Sequence, residues 1–275
     1  MPNLVVIGCL LTAIQLVVAD VGWAGPYPPA AGEAGSHAIS MDDPALISWA
    51  TGYQEYIVGA NVDQTWEMPQ NALGKAEGTS FDIVALGSGG SITLTFDPPV
   101  ENGEGWDFAV FENSFSDRYL ELAYVEVSSN GTDFIRFDSI SLTANPVPGY
   151  GNIDPTDVDG LAGKYRQGFG TPFDLADLSD KPGVLSGDVD LSGISHIRIV
   201  DVVGNGTSTD SSGAIIYDPY PTAGSAGFDL DAVGVSNGAP YPAGEYVPPE
   251  LPAEDDDAGF GGDTGCFVMT IRMQD

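Results

Sequence analysis

Residues 105–137, GWDFAVFENSFSDRYLELAYVEVSSNGTDFIRF, constrain the fold of this chain more than any other stretch. In residues 106–111 the apolar side chains fall on both faces, Phe108 and Val110 on one, Ala109 and Phe111 on the other. A strand of that kind has to be covered from both sides. Residues 122–128 alternate instead, with Ala123, Val125 and Val127 on a dry face and Tyr124, Glu126 and Ser128 on a wet one. Asn130-Gly131 then offers two residues that tolerate positive φ, which predicts a tight hairpin into residues 134–137. A sheet with a dry face packs on helices or on another sheet, and helical patterns are scarce here, so a second sheet is expected. The expected fold is an all-β, jelly-roll-like antiparallel β-sandwich with one short N-terminal helix. That helix is predicted at residues 45–50, behind the capping-box spacing of Ser40 to Asp43 and Pro44, with Gly52 as its stop.

Further strands are read at residues 81–86, at Ile92, Leu94 and Phe96 ahead of Pro98-Pro99, at 194–203, at 214–217 and at 227–235. The apolar run from Leu4 to Ala19 is shorter than the ~20 residues of a membrane span. Small residues stand at the −3 and −1 positions of cuts after Ala19 and Ala24, so residues 1–24 read as a secretory signal peptide, although no Lys or Arg precedes the run. Residues 25–237 then form one β-sandwich domain. Residues 238–275 are rich in Pro, Gly and acids and read as a disordered linker with a short apolar tail, CFVMTIRM, too short to cross a membrane as a helix. With Cys9 in the leader, Cys266 is the only cysteine of the mature chain and no internal disulfide is expected.

A net charge of −32, from 40 acidic against 8 basic residues, repels nucleic acid and anionic membrane, so neither is expected as a partner. Aspartate outnumbers glutamate more than twofold. Calcium loops favour the shorter carboxylate, but a solvated acidic surface accounts for most of these residues. An enzyme is not expected. The string GVSNG at 234–238 matches a nucleophile elbow, yet no helix pattern and no histidine follow it. His37 and His196 have no zinc-ligand spacing, and with so many acids no carboxylate pairing is informative by itself.

Two features carry candidate sites. In GFDLDAVGV, Asp229 and Asp231 stand two apart on one strand, placed to grip a hard cation with loop oxygens, or else to cap and pair at the strand entrance. In KYRQGF, Lys164, Tyr165, Arg166 and Phe169 gather cations and aromatics. They suit stacking on a sugar ring with hydrogen bonds to its hydroxyls, or equally a plug at the sandwich end with Arg166 paired to a local acid. Asp154, Asp157 and Asp159 before Gly160 lack the terminal Glu of an EF-hand and read as a solvated turn.

The last strand resembles that of the galactose-binding-like β-sandwiches, carbohydrate-binding modules among them, and LGSGGSITLTF and AYVEVSSNGTDF are similar to discoidin-type members. That resemblance implies a structural calcium held by a carboxylate of the terminal strand, carried here onto Asp231 with Asp229 beside it and Asn71 in the loop before Phe81. Taken whole, the chain resembles secreted bacterial cell-surface proteins of unassigned function, through GWDFAVFENSF and LAGKYRQGFGTPFDL. Cys266-Phe267-Val268 is similar to a C-terminal sorting tag with a Cys-Phe-Ile core, departing from it at Val268 and in lacking an Ala-Thr-Ala continuation; processing or attachment would fall on Cys266. The implied protein is a secreted or cell-surface, calcium-stabilised, non-catalytic binding or adhesion module. Its implied partner is a carbohydrate or cell-surface polymer. The alternatives are a purely structural surface protein or a secreted hydrolase.

Overall fold

The computed structural model describes residues 25–239; the expected signal peptide at 1–24, most of the expected linker and tail, and Cys266 lie outside the described residues. Thirteen strands follow in chain order: β1 (Ile39–Ser40), β2 (Ser48–Trp49), β3 (Gly52–Ile57), β4 (Val84–Ala85), β5 (Ser91–Val100), β6 (Phe108–Glu112), β7 (Ala123–Ser128), β8 (Ile135–Arg136), β9 (Ile140–Ser141), β10 (Val158–Asp159), β11 (Phe169–Phe173), β12 (Ile194–Asp201) and β13 (Asp229–Val235). One sheet runs β1-β11-β6-β13-β2, with β4 also on β13. The other runs β3-β5-β12-β7-β8, and β9 pairs with β10 apart from both. Every ladder is antiparallel. The long strands alternate between the sheets (β5, β6, β7, then β11, β12, β13), so each connection crosses an end of the sandwich, as in a jelly roll. The protein is an all-β sandwich.

Strand β6 is buried along its whole length, as its two apolar faces require. Phe108 and Val110 enter the main core with Ile92 and Leu94 of β5, Val125 and Val127 of β7, Ile197 and Ile199 of β12 and Val233 of β13. There Phe108 stacks on Phe173, centroids 5.4 Å apart, and meets Phe137 edge-on at 5.9 Å. Ala109 and Phe111 point the other way, into a smaller layer with Ala76 and Ala232 that Leu46, Trp49 and Trp106 cover.

The short N-terminal helix is not formed. Ser40 to Asp43 do make the expected turn, with Asp43 Oδ1 accepting from the Ala45 amide. The chain then extends, and the amides of Ile47 and Ala50 donate to Val235 and Val233. Sheet hydrogen bonds and contact of Trp49 with Phe111, at 5.4 Å, override the local helix signal. Gly234 permits this, since a Cβ there would stand 2.8 Å from Leu46 and 2.9 Å from Trp49. The described α-helix is a single turn at Pro182–Leu185. No helix among the described residues is long and apolar enough to cross a membrane.

The polar face of β7 is also buried. Loops at residues 147–161 and 202–216 fold over it and enclose Tyr124 in a second apolar cluster. Glu126 survives there because Arg136 and Arg198 bind one oxygen each, at 2.7 and 2.5 Å. The Asn130-Gly131 hairpin forms as expected, with Gly131 at φ +73 and Asn130 Oδ1 accepting from the Thr132 and Asp133 amides.

Replacing Phe108 by Ala is expected to cost about 3–5 kcal/mol, because three rings close on one site and none can collapse into the void. The urea midpoint of the variant should fall by the corresponding amount at unchanged slope; a loss below about 1 kcal/mol would show that this ring cluster is not the centre of the core.

Candidate functional site

Where β6 ends, the chain crosses from one sheet to the other through residues 113–122, and the short segment 218–228 returns above it. Together with residues 66–81 they enclose a cleft of about 230 Å³. Its rim carries five aromatic rings. Trp66 stacks on Phe81 at 6.5 Å; Phe115 stacks on Tyr119 at 4.9 Å and Tyr119 on Tyr150 at 5.9 Å. Phe81, Phe115 and Tyr150 are 79%, 67% and 66% exposed, far above what rings of this size ordinarily show. Ser80, Asn113 and Ser225 supply polar groups between them.

Glu121 and Asp229 form the floor, each 2% exposed. Behind them stand Glu112, Asp201 and Asp218, also buried. The fold ties each of these five acids to the crossing segments. The Ser114 amide donates to Glu112 Oε2 at 2.8 Å, and the Leu122 amide to Asp218 Oδ1 at 2.8 Å. Asp201 accepts from Gly89 through Oδ2 and from Phe228 through Oδ1, at 2.8 and 2.9 Å. Gly227, at φ +68, lets the chain pass Asp201, since a Cβ there would lie 2.6 Å from its oxygen. Tyr119 and Thr222 interact with Glu121, and Ser225 and Asn113 with Asp229. One oxygen of each of Glu112, Glu121 and Asp229 has no partner.

Burial first, and the mutual repulsion of the carboxylates second, hold Glu112, Glu121 and Asp218 well above the usual carboxylate range. The same burial pushes Asp229 up to about 8 and Asp201 up to about 6, although hydrogen bonds to each work in the other direction. Every ion pair among the described residues goes elsewhere, to Asp42, Asp117, Asp138, Asp154 or Glu126.

Asp229 and Asp231 are not brought together. A register irregularity between Leu230 and Ala232 separates them. Asp231 accepts from the Glu77 and Gly78 amides, at 3.1 and 2.9 Å, and holds that loop on the outer face of the sheet. Asn71 donates to the Ile83 carbonyl at 3.2 Å, a peg between its own turn and the strand that follows. Among the described residues no three acidic, histidine or cysteine side chains stand in a ready metal-ligand array.

The KYRQGF residues do not line the cleft but abut it: the Gln167 amide donates to the Ser114 carbonyl at 2.7 Å and Gln167 Oε1 accepts from Ser80 Oγ at 3.1 Å, while Lys164 and Tyr165 are buried and Arg166 and Phe169 half-buried. Tyr165 is 2% exposed and Lys164 3%, so neither ring nor ammonium meets solvent. Lys164 Nζ donates to the Val158 carbonyl at 2.6 Å. Arg166 bridges the Ala31 carbonyl and Asp117, at 2.7 and 2.6 Å, with its guanidinium 4.7 Å from the Phe169 ring. Of the two readings of this segment, burial fits the plug. A larger groove of about 710 Å³ runs past Trp106, Asp138, Asp159 and Asp177. Those acids are exposed, and Asp138 is already paired with Lys181.

The rim and floor escaped the sequence reading because their residues come from five separated segments. Only the FEN and LEL strings, with acids where a buried strand should be apolar, signalled them. No protein family and no curated protein matches this chain in comparisons with known proteins.

Burial lowers the Lys164 pKa from 10.5 to about 8. Between those values the unfolded chain binds the proton that the folded one has lost, so this group makes stability rise with pH across that window. The stability difference between the wild type and Lys164→Met should therefore shift in favour of the wild type from pH 8 to 10, by up to roughly 2–3 kcal/mol. Parallel curves for the two proteins would show that Lys164 is solvated.

Proposed function

We propose that this protein is a secreted or cell-surface binding module, non-catalytic, that recognises carbohydrate or a cell-surface polymer through the aromatic-rimmed cleft. The observation that carries this is the exposure of Phe81, Phe115 and Tyr150 around one concave site. Exposed rings lose water contacts at little entropic cost when a flat apolar sugar face stacks on them, while Ser80, Asn113 and Ser225 are placed to meet its hydroxyls. A binding role is favoured over hydrolysis because the free oxygens of Glu121 and Asp229 have almost no accessible surface, so neither a scissile bond nor an attacking water can reach them. Secretion and surface attachment rest on the leader-like residues 1–24 and the tail around Cys266, and the resemblance to secreted cell-surface proteins supports the same placement.

A glycan array with the purified protein should yield binders, and Phe115→Ala and Tyr150→Ala should each weaken the best of them about tenfold, a loss of about 1.4 kcal/mol. The melting temperature of both variants should stay within a few degrees of the wild type, since both rings are mostly solvent-exposed. An array without binders, or variants that bind as the wild type does, would remove the cleft as a carbohydrate site. Turnover of any bound glycan would move the protein to the hydrolases.

A further inference from the structure

The two large sheets have four edges, and three of these are kept very short. Strand β1 on one side and β2 with β4 on the other bound the first sheet, and β8 bounds the second, each two residues long. The fourth edge is β3, which runs six residues beside β5 with no strand on its other side. Among the described residues, the backbone groups of 52–57 bond to β5 alone. An open edge of that length is a template for another strand, which is why short or covered edges are the rule. Tyr53, Ile57 and Val58 along it are 43%, 51% and 41% exposed. The ladder is irregular between Tyr53 and Glu55 and regular from Glu55 onward, and Glu55 is the one charge on the strand. In that regular run Tyr56 lies with Ile92 on the core face, while Glu55 and Ile57 lie with Thr93 and Ser91 on the outer face.

We propose that residues 266–273 of this chain, CFVMTIRM, dock on β3 as an added strand. Pattern, charge and reach each select this occupant. The segment alternates, with Phe267, Met269, Ile271 and Met273 on one side and Val268, Thr270 and Arg272 on the other, which is the period of a half-buried strand. Laid beside β3, its apolar side continues the Tyr56 face and its other side brings Arg272 to Glu55. Six of the chain's eight bases are already in ion pairs, and Lys164 donates to a carbonyl inside the fold, so Arg272 is the base left to match Glu55. A second copy would instead bring another Glu55-bearing edge on a molecule of the same −32 charge, and like charges facing across a ladder destabilise it. The described chain ends at Ala239, just past the bridge from Gly238 to Val100 at the end of β5. Thr93, the partner of Glu55, lies about 23 Å back along β5 from Val100. A coil as long as residues 240–265 spans roughly 25–30 Å, enough to bring 266–273 alongside. Main-chain hydrogen bonds supply the affinity in such strand addition, and a tether of this length makes a weak contact sufficient. The proposal does not depend on what the cleft binds.

Amide hydrogen exchange on the full chain tests this. The amides of residues 55–58 that face away from β5 should exchange slowly in the wild type, whereas an open edge would leave them to solvent. Thr270→Pro lies outside the sandwich, so the fold stands, and it removes a donor from the added strand; the same amides should then exchange about tenfold faster or more. Glu55→Lys and Arg272→Glu should each speed exchange as well, and the double variant should slow it again, because the pair is then reversed rather than broken. Light scattering shows whose edge is covered. A monomer means that the segment caps its own β3, and a dimer lost in Thr270→Pro means that it caps a neighbour's; both support the docking. Wild-type amides at 55–58 that exchange at the rate of an open edge would overturn the proposal. So would protection unchanged by Thr270→Pro, or a dimer that survives this substitution with the amides still protected, which would show two copies pairing through β3.

Discussion

The structure depends on one strand being closed off from water on both faces. With Phe108 and Val110 on one side and Ala109 and Phe111 on the other, β6 cannot lie at a surface, and every neighbouring element is placed by that need. The opposite sheet covers the first face. The second face has no third sheet to cover it, so the N-terminal segment with Leu46 and Trp49 is drawn down as a lid and exchanges its helical tendency for hydrogen bonds to β13. A local preference worth a few tenths of a kcal/mol per residue yields to the burial of a tryptophan and a leucine, worth several times more.

Acidity is used in two distinct ways in this chain. Among the described residues most carboxylates are solvated, but nine are buried. Asp107, Asp201, Asp210 and Asp231 each accept at least two backbone amides and act as pegs that hold loops onto the sheets. Glu126 is matched by two arginines. Those arrangements offset the cost of burial with directed hydrogen bonds or charge. The group beneath the aromatic rim differs in kind, because Glu112, Glu121 and Asp229 retain oxygens with no partner at all. Among the described residues the other buried polar atoms without a partner are the neutral hydroxyls of Ser141, Thr143 and Thr171, so the carboxylate oxygens gathered at this one place stand out by their charge.

Location follows from topology. Apart from β7, which turns back into β8 of its own sheet, the long strands hand the chain to the opposite sheet, so the crossings gather at the ends of the sandwich, where the backbone must leave the ladder and where side chains from distant segments meet. The crossing from β6 to β7 and the approach to β13 share one end, and the cleft lies between them. The KYRQGF segment lies between that crossing and the lead-in residues Tyr27 and Ala31: Gln167 bonds to Ser80 and Ser114, and Arg166 joins Asp117 to the Ala31 carbonyl, so it fastens the N-terminal stretch to the sandwich.

By itself the sequence determined the class of fold and the placement of β5, β6, β7, β12 and β13, though not of β11, because a period of two and a doubly apolar strand are properties of neighbouring residues and need no partner to be legible. The hairpin at Asn130-Gly131 was legible for the same reason, being a matter of the positive φ of Gly131 and the side-chain hydrogen bonds of its neighbour Asn130. The fate of each polar residue was decided only by tertiary structure. Tyr165 and Lys164 read as well for a stacking loop as for a plug, and the choice came from what folds over them. Tyr124 and Glu126 alternate like a wet face, and loops more than twenty residues away made that face dry. Asp229 and Asp231 look equivalent two positions apart, yet an irregularity in the ladder sends one to the outer loop and the other to the buried group of acids. A carboxylate's chemistry is set by the charges and dipoles within a few ångströms of it, and in a sandwich of crossing strands those neighbours are remote in the chain.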